Sequence, residues 1–425
     1  MEVLFLFTLI CFLPLIIINS KSFFALIIIT MFFDNKAFHI NFDSVPFDIQ
    51  PIHLVVFISF PLLIILLIDH VRKNHTITIH QYFLISFFLF ALIKTIFNYN
   101  TDSFSYFGLF SIGVVLYFSF IFFLKKSDLS FLYNLLLLSG FFQLFLGLIQ
   151  VILGFLTYAN FYNFDFYIQH LDYVMFGRPF GTLVEPDFFG AISTFFAFLF
   201  LKEYISTKSN IYYFSFLLSF LLLFYGGVRA AIISFILSFI YLLYYFRREI
   251  KMNLKESLII FYSLLFLSPL FFSTILRFSY LFRTEFWTEG INNPRILQLG
   301  VSFAQFLESP IFGNGLNAYM FLGDFYEDAI KIGQPNWVNQ GYDPSLITSL
   351  LNDTGIFGFS IFGLFIYYYF KNLSINLNSR NIFVFCAISS FLTTFLFTNG
   401  LILHFTWVFL AFSEILFSFN TSSYD

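Results

Sequence analysis

Apolar runs long enough to cross a bilayer recur along the whole chain, near 3–33, 54–68, 81–98, 104–124, 130–156, 187–203, 211–225, 229–246, 257–276, 345–370, 381–398 and 401–418. A transmembrane helix takes about 20 predominantly apolar residues, within a range of about 17–25. Backbone polar groups inside hydrocarbon must be satisfied within the segment itself, so runs of this length fold as helices. The runs predict an all-α polytopic membrane protein with about 12 transmembrane helices, in the range of about 11–13. The range in number comes from the first run, which Pro14 and Lys21 can break into a hairpin. Composition excludes a soluble enzyme: 11% of the 425 residues are charged, where an ordinary soluble domain has about 25%. No soluble domain and no internal repeat interrupts the pattern, so residues 1–425 read as one integral membrane domain. Residues 3–19 lack the basic flank and small-residue cleavage site of a signal peptide. Cys11 and Cys386 both lie inside apolar runs, which gives no disulfide framework.

Basic residues in short loops are retained on the cytoplasmic side. Alternate loops carry Arg72-Lys73, Lys125-Lys126, Lys202 with Lys208, Arg247-Arg248 with Lys251 and Lys255, and Lys371 with Arg380. These loops are cytoplasmic on that rule, and the connections between them are external. The external set is 34–53, 99–103, an external loop at 157–186, the turn at Gly226-Gly227, a large external or periplasmic loop at 277–344, and Asn399-Gly400. Basic residues on this outer side are then informative: five of the seven, Arg178, Arg229, Arg277, Arg283 and Arg295, are arginine, the others being Lys36 and Lys331. A guanidinium stays protonated in an apolar surround and pairs with phosphate or carboxylate oxygens through two parallel hydrogen bonds.

The most polar outer stretch is Gly177-Arg178-Pro179-Phe180-Gly181-Thr182-Leu183-Val184-Glu185-Pro186-Asp187, a shaped loop directly before an apolar run. Glu185 there reads as a helix-capping acid, as a general base, or as a group that orients an arginine. Asp343 before Pro344 reads as a helix cap. Arg229 follows Gly226-Gly227 at a span mouth. From Arg295 to Leu307 apolar residues recur at helical spacing, which predicts an amphipathic helix along the membrane surface. It ends at Ser309-Pro310 and the turn Gly313-Asn314-Gly315, either a plain connection or a backbone open to close approach by a ligand. Asp353 falls about 12 Å down its helix, and a carboxylate at that depth faces a polar interior and a partner, one of the outer arginines being the expected one. His404 in the last run reads as a hydrogen-bonded interior histidine, and the histidine spacing is not that of a metal site. Phosphate loops, dinucleotide glycine patterns and serine nucleophile elbows are missing from the sequence, which argues against nucleotide-driven chemistry.

Four patterns, in this order, resemble the O-antigen polymerase and O-antigen ligase family of membrane glycosyltransferases. They are Arg178-Pro179-Phe180-Gly181-Thr182 through Glu185-Pro186-Asp187, Gly227-Val228-Arg229-Ala230-Ala231, Arg295 through Ser309-Pro310-Ile311-Phe312-Gly313-Asn314-Gly315, and Leu350-Leu351-Asn352-Asp353-Thr354-Gly355-Ile356-Phe357-Gly358. The resemblance covers about residues 170–370, with Asp353 standing where glutamate is common in the family. Ligases of the family carry a histidine near the start of that last span, and Asp343-Pro344-Ser345 occupies the place here, which points to a polymerase.

The resemblance implies polymerisation of undecaprenyl-diphosphate-linked oligosaccharide repeat units, of O-antigen, capsule or exopolysaccharide, at the outer face of a bacterial inner membrane. It implies Arg178, Arg229 and Arg295 as diphosphate ligands and Gly181, Thr182, Gly313 and Gly315 as substrate loops. Glu185, then Asp353, are the candidate catalytic carboxylates. The implied partners are lipid-linked donor and acceptor glycans, membrane lipid, and flippase and chain-length regulator proteins, with no cofactor, metal or nucleic acid. A ligase, or a flippase for the same lipid-linked oligosaccharide, are the alternatives. A transporter is expected to hold its polar groups near the midplane and to show related halves.

Overall fold

A computed structural model describes residues 20–33, 50–57, 59, 77–98, 101–156, 179–183, 186–249, 294–321, 345–375 and 377–421. These form helices α1 (Ser20–Thr30), α2 (Ile79–Phe97), α3 (Thr101–Phe123), α4 (Lys126–Leu156), α5 (Pro186–Thr207), α6 (Asn210–Gly226), α7 (Arg229–Glu249), α8 (Pro294–Glu308), α9 (Leu346–Ile375), α10 (Ile382–Thr394) and α11 (His404–Thr421). A 3-10 turn covers Ala318–Phe321, and residues 51–57 are helical. Among the described residues six helices are long and apolar enough to cross a membrane: α2, α3, α4, α5, α7 and α9. The helices α1, α6, α10 and α11 are apolar but shorter by that measure. The expected run at 257–276, most of 54–68 and the start of the first run lie outside the described residues.

Helix ends follow local chemistry. Pro186 opens α5, where a missing N–H costs nothing. Gly227 closes α6 in the left-handed conformation, φ 62°. Thr78 precedes α2, and its backbone N–H donates to Gln81 Oε1 at 3.1 Å. Inside the apolar helices many hydroxyls turn back on their own backbone, as Ser111 does on Phe107, Ser215 on Ile211 and Ser234 on Ala230, which satisfies these donors away from water.

One expected span ends early. Helix α10 stops at Thr394 where the apolar run continues to 398. Residues 395–403 instead form a turn, mostly buried with Leu396 and Phe397 exposed, to which neighbouring segments donate hydrogen bonds. Leu346 N–H donates to the Phe395 carbonyl, Thr406 Oγ1 to Gly400 and Trp407 Nε1 to Leu401. Backbone that leaves the helix is tolerated where protein groups supply its hydrogen bonds in this way.

The bundle packs α9 on α2, α3 on α11, α10 on α5 and α7, α6 on α5 and α4, and α8 on α9. Phenylalanine fills the centre. Phe195 of α5 and Phe409 of α11 stack at 3.9 Å between centroids, with Phe391 of α10 edge-on to both. Small residues let helices close on these rings, as Gly113 does under Trp407 and Gly140 under Phe196.

Two polar networks lie at opposite ends of α2. At its start His80 Nε2 and Glu414 Oε1 are 3.0 Å apart, and the buried Tyr117 hydroxyl donates to Glu414 Oε2 at 2.5 Å. This end is the one that loop charge assigns to the cytoplasm. The other end holds the sequence motifs.

Candidate functional site

Helix α9 is interrupted two residues after Asp353. Gly355 has φ 64° and ψ −173°, a conformation essentially restricted to glycine, and it splits the helix into two halves. The break exposes carbonyls of the first half and N–H groups of the second, and the loop following α8 takes both sets. Asn314 N–H donates to Asn352 O at 2.8 Å and Gly315 N–H to Asp353 O at 3.0 Å. Ile356 N–H donates to Pro310 O at 2.9 Å and Phe357 N–H to Ile311 O at 3.0 Å. The fit is backbone on backbone. A Cβ at Gly355 would overlap the Ile311 carbonyl, and one at Gly313 would overlap Thr354 N and the Asp353 carbonyl. The close approach expected of the Gly313-Asn314-Gly315 turn is therefore made to the chain itself, at a helix break that apolar periodicity does not announce.

Side chains lock the joint. Asn352 Nδ2 donates to Gln305 Oε1 at 2.7 Å, Gln305 Nε2 to the Ala318 carbonyl at 2.7 Å, and Asn314 Nδ2 to Asn352 Oδ1 at 3.0 Å. The Asp353 carboxylate, buried, accepts from Ala318 N–H at 2.9 Å and from Ser349 Oγ at 3.2 Å. Asn399 from the α10–α11 turn donates to Ser349 Oγ at 3.0 Å and to the Tyr106 hydroxyl at 3.2 Å. From α2, Lys94 Nζ donates to the Gly313 carbonyl at 2.9 Å, and Asn98 Nδ2 just beyond it donates to the Asn314 carbonyl at 2.8 Å. Gln305, Asn352, Asn399, Lys94 and Asn98 were not singled out by sequence. Amides and one lysine inside or beside apolar runs were the available signal.

The second motif pair is also brought together. Pro179 lies beside Gly226, so the 179–183 loop packs against the turn that leads into Arg229, which is half-buried at the start of α7. Two glutamines seven residues apart on α4 hold the loop. Gln150 accepts from the Phe180 and Gly181 N–H groups, each at 2.9 Å, and donates to the Gly181 carbonyl at 2.8 Å. Gln143 accepts from Thr182 N–H at 3.0 Å and donates to Thr182 Oγ1 at 2.8 Å, and that hydroxyl donates to the Phe32 carbonyl at 2.6 Å. Gly181 sits at φ 60°, where a side chain is strained.

Arg178 and Glu185 lie outside the described residues, and so do Asp343 and residues 322–344 of the large outer loop. Arg295 is in the first turn of α8, described for its backbone. Helix α8 forms where amphipathic spacing predicts it, and Gln305 ties it to α9 while Leu299, Phe303 and Leu307 stay exposed along it. The His404 ring meets His53, Nε2 to Nε2 at 2.7 Å, as an interior hydrogen-bonded pair.

The model of the O-antigen ligase family matches residues 214–363. The match spans three of the four sequence motifs, those at Gly227–Ala231, Arg295–Gly315 and Leu350–Gly358, and so both sides of the loop-to-break joint. It is consistent with the family the motifs resemble, and at a coarse level it supports a membrane enzyme of O-antigen ligase or polymerase type. No curated protein matches the chain.

Proposed function

We propose that the chain polymerises lipid-linked oligosaccharide repeat units, transferring a growing glycan from an undecaprenyl diphosphate carrier to a sugar hydroxyl of an incoming unit. The observation that carries this reading is the Gly355 break, closed by the glycine loop of an arginine-headed helix, with Asp353 buried at the joint. Broken helices at membrane depth mark places where substrate meets protein backbone.

In the reaction a bond forms between the acceptor oxygen and the anomeric carbon, and the bond from that carbon to the diphosphate oxygen breaks. The acceptor proton passes to a carboxylate, and the diphosphate leaves with added negative charge. Arg178, Arg229 and Arg295 would hold that charge, since fixed cations in a water-poor site stabilise a leaving group without reorganising. Glu185 would take the proton, with Asp353 second in line or acting through the Ala318–Gln305 network to keep the joint in shape. Holding two lipid-anchored reactants side by side supplies the entropic share of the acceleration. The site would face the outside of the inner membrane, as the loop charges suggest. Flippase and chain-length regulator proteins would be its neighbours there.

The match to the O-antigen ligase family makes ligation the second reading. A gel of surface polysaccharide separates them. In cells lacking the gene, a polymerase loss leaves a single capped repeat unit, and a ligase loss leaves no polymer on the surface while lipid-linked chains accumulate. Complementation with Arg178→Ala, Arg229→Ala or Asp353→Asn should give the deletion pattern. A full ladder from all three variants would sink the site.

A further inference from the structure

Lys94 has no place in the chemistry above, and its position is unusual. It sits in the last turn of α2, half-buried, and among the described residues its ammonium meets the Gly313 carbonyl and no carboxylate. An ammonium carries three donors, so two remain after that bond. Its surroundings are apolar and face outward. Ile93, Ile96 and Phe97 of α2, Ile311 and Phe312 of the loop, and Ile356 and Phe357 after the break are all exposed. The Phe357 ring bridges Phe90 and Phe312 at 5.2 and 5.9 Å. In a membrane-spanning bundle such a face meets acyl chains. A cation there is costly unless it reaches an anion or water, and ionisable groups at such places are functional more often than not.

The anchoring bond also puts the charge where it matters. Gly313 packs on the Asp353–Thr354 backbone, and Ser309 Oγ donates to the same Gly313 carbonyl at 2.9 Å. An anion seated on Lys94 would therefore touch the joint from the bilayer side, while the arginines would approach it from the loops.

We propose that Lys94, held by the Ser309–Gly313 turn, is the contact point for the diphosphate of a polyprenyl-linked substrate that reaches the site laterally from the bilayer. This rests on the glycosyl-transfer reading and adds the direction of approach and the residue that meets the head group. The tail stays in the membrane throughout. A lysine suits the place because its ammonium is a compact point charge whose rotatable N–H groups can donate to phosphate oxygens from several directions.

The test is lipid binding to purified protein in phosphatidylcholine nanodiscs, with undecaprenyl diphosphate, undecaprenyl phosphate and phosphatidylglycerol as probes. Lys94→Gln keeps an N–H donor for the Gly313 carbonyl and removes the charge. Loss of one charge-assisted hydrogen bond should weaken diphosphate binding about tenfold or more. Monophosphate binding should fall less, phosphatidylglycerol binding should not change, and the melting temperature should be kept. Ser86→Ala, which removes a hydroxyl bonded to the Tyr82 carbonyl of the same helix but no charge, should bind all three lipids as the parent does. Unchanged diphosphate binding by Lys94→Gln overturns the inference alone, as does an equal loss for phosphatidylglycerol, which would make Lys94 a general headgroup contact. A parent protein that binds no diphosphate lipid overturns the functional reading with it. Should Lys94→Gln not assemble, Lys94→His gives the same decision. Its diphosphate binding should strengthen as pH falls from about 8 to about 5.5, and pH-independent binding at the parent's affinity refutes the role.

Discussion

Replacing Gly355 with alanine should undo the joint between the outer loop and helix α9. The conformation at φ 64°, ψ −173° belongs to the glycine-only region, so the added Cβ brings a backbone strain of about 1–3 kcal/mol. The Cβ also overlaps the Ile311 carbonyl, which is backbone and cannot swing aside as a side chain would. The cheaper response is for the loop to leave, which breaks the four backbone hydrogen bonds across the break. At about 0.5–1.5 kcal/mol each, those bonds and the strain together reach about 3–9 kcal/mol. That is comparable with the whole stability of many domains. Gly363→Ala is the control: it lies on the same helix with no atom within 4 Å of an added Cβ, so it should be neutral or slightly stabilising. The assay combines melting temperature in detergent with maleimide labelling of a cysteine introduced as Asn314→Cys. Gly355→Ala should lower the melting temperature by about 6 °C or more and should raise labelling relative to Gly363→Ala. Equal melting and equal labelling in the two variants would mean that the break is not held by the loop, and the account of the site would fail with it.

Gln150→Leu removes the side chain that binds both the N–H groups and the carbonyl of the 180–181 loop, so it should shorten or abolish the polysaccharide ladder while membrane insertion is retained. The ladder gel with an immunoblot for insertion reads it. Asp353→Asn still offers an oxygen to Ala318 N–H, so the protein should assemble and melt as the parent does while activity drops at least about tenfold; an active Asp353→Asn protein would reduce this residue to a structural hydrogen-bond acceptor. At the opposite end, Glu414→Ala leaves His80 and Tyr117 buried without their shared acceptor and should cost about 2–6 kcal/mol of stability, at about 1–3 kcal/mol for each unsatisfied group, read as a fall in melting temperature. The same variant, if it folds at low temperature, should keep its ladder pattern, because the network lies at the far end of α2 from the joint.

What the sequence determined by itself was the class of solvent. Long apolar runs with rare charges leave a chain no alternative to membrane-spanning helices, and nine of the expected runs coincide with described helices to within a few residues. The amphipathic spacing from Arg295 to Leu307 likewise produced a helix, because a one-sided apolar stripe has one way to be buried. Motif order also carried the family likeness, through residues whose types are unusual in such surroundings. Partnership was a different matter. Sequence placed the Gly313 turn and the Asp353–Gly355 segment in separate elements, and only the folded chain shows that each supplies the hydrogen-bonding groups the other lacks. Gln143, Gln150, Gln305 and Lys94 were silent because a polar side chain in an apolar run has no direction until the helix is rotated against its neighbours. The early end of α10 belongs to the same class: hydropathy continues through 395–398, and the helix stops there because Leu346, Thr406 and Trp407 offer the turn hydrogen bonds that lipid cannot. Local propensity and solvent chose the elements, and long-range backbone satisfaction chose where two of them are broken.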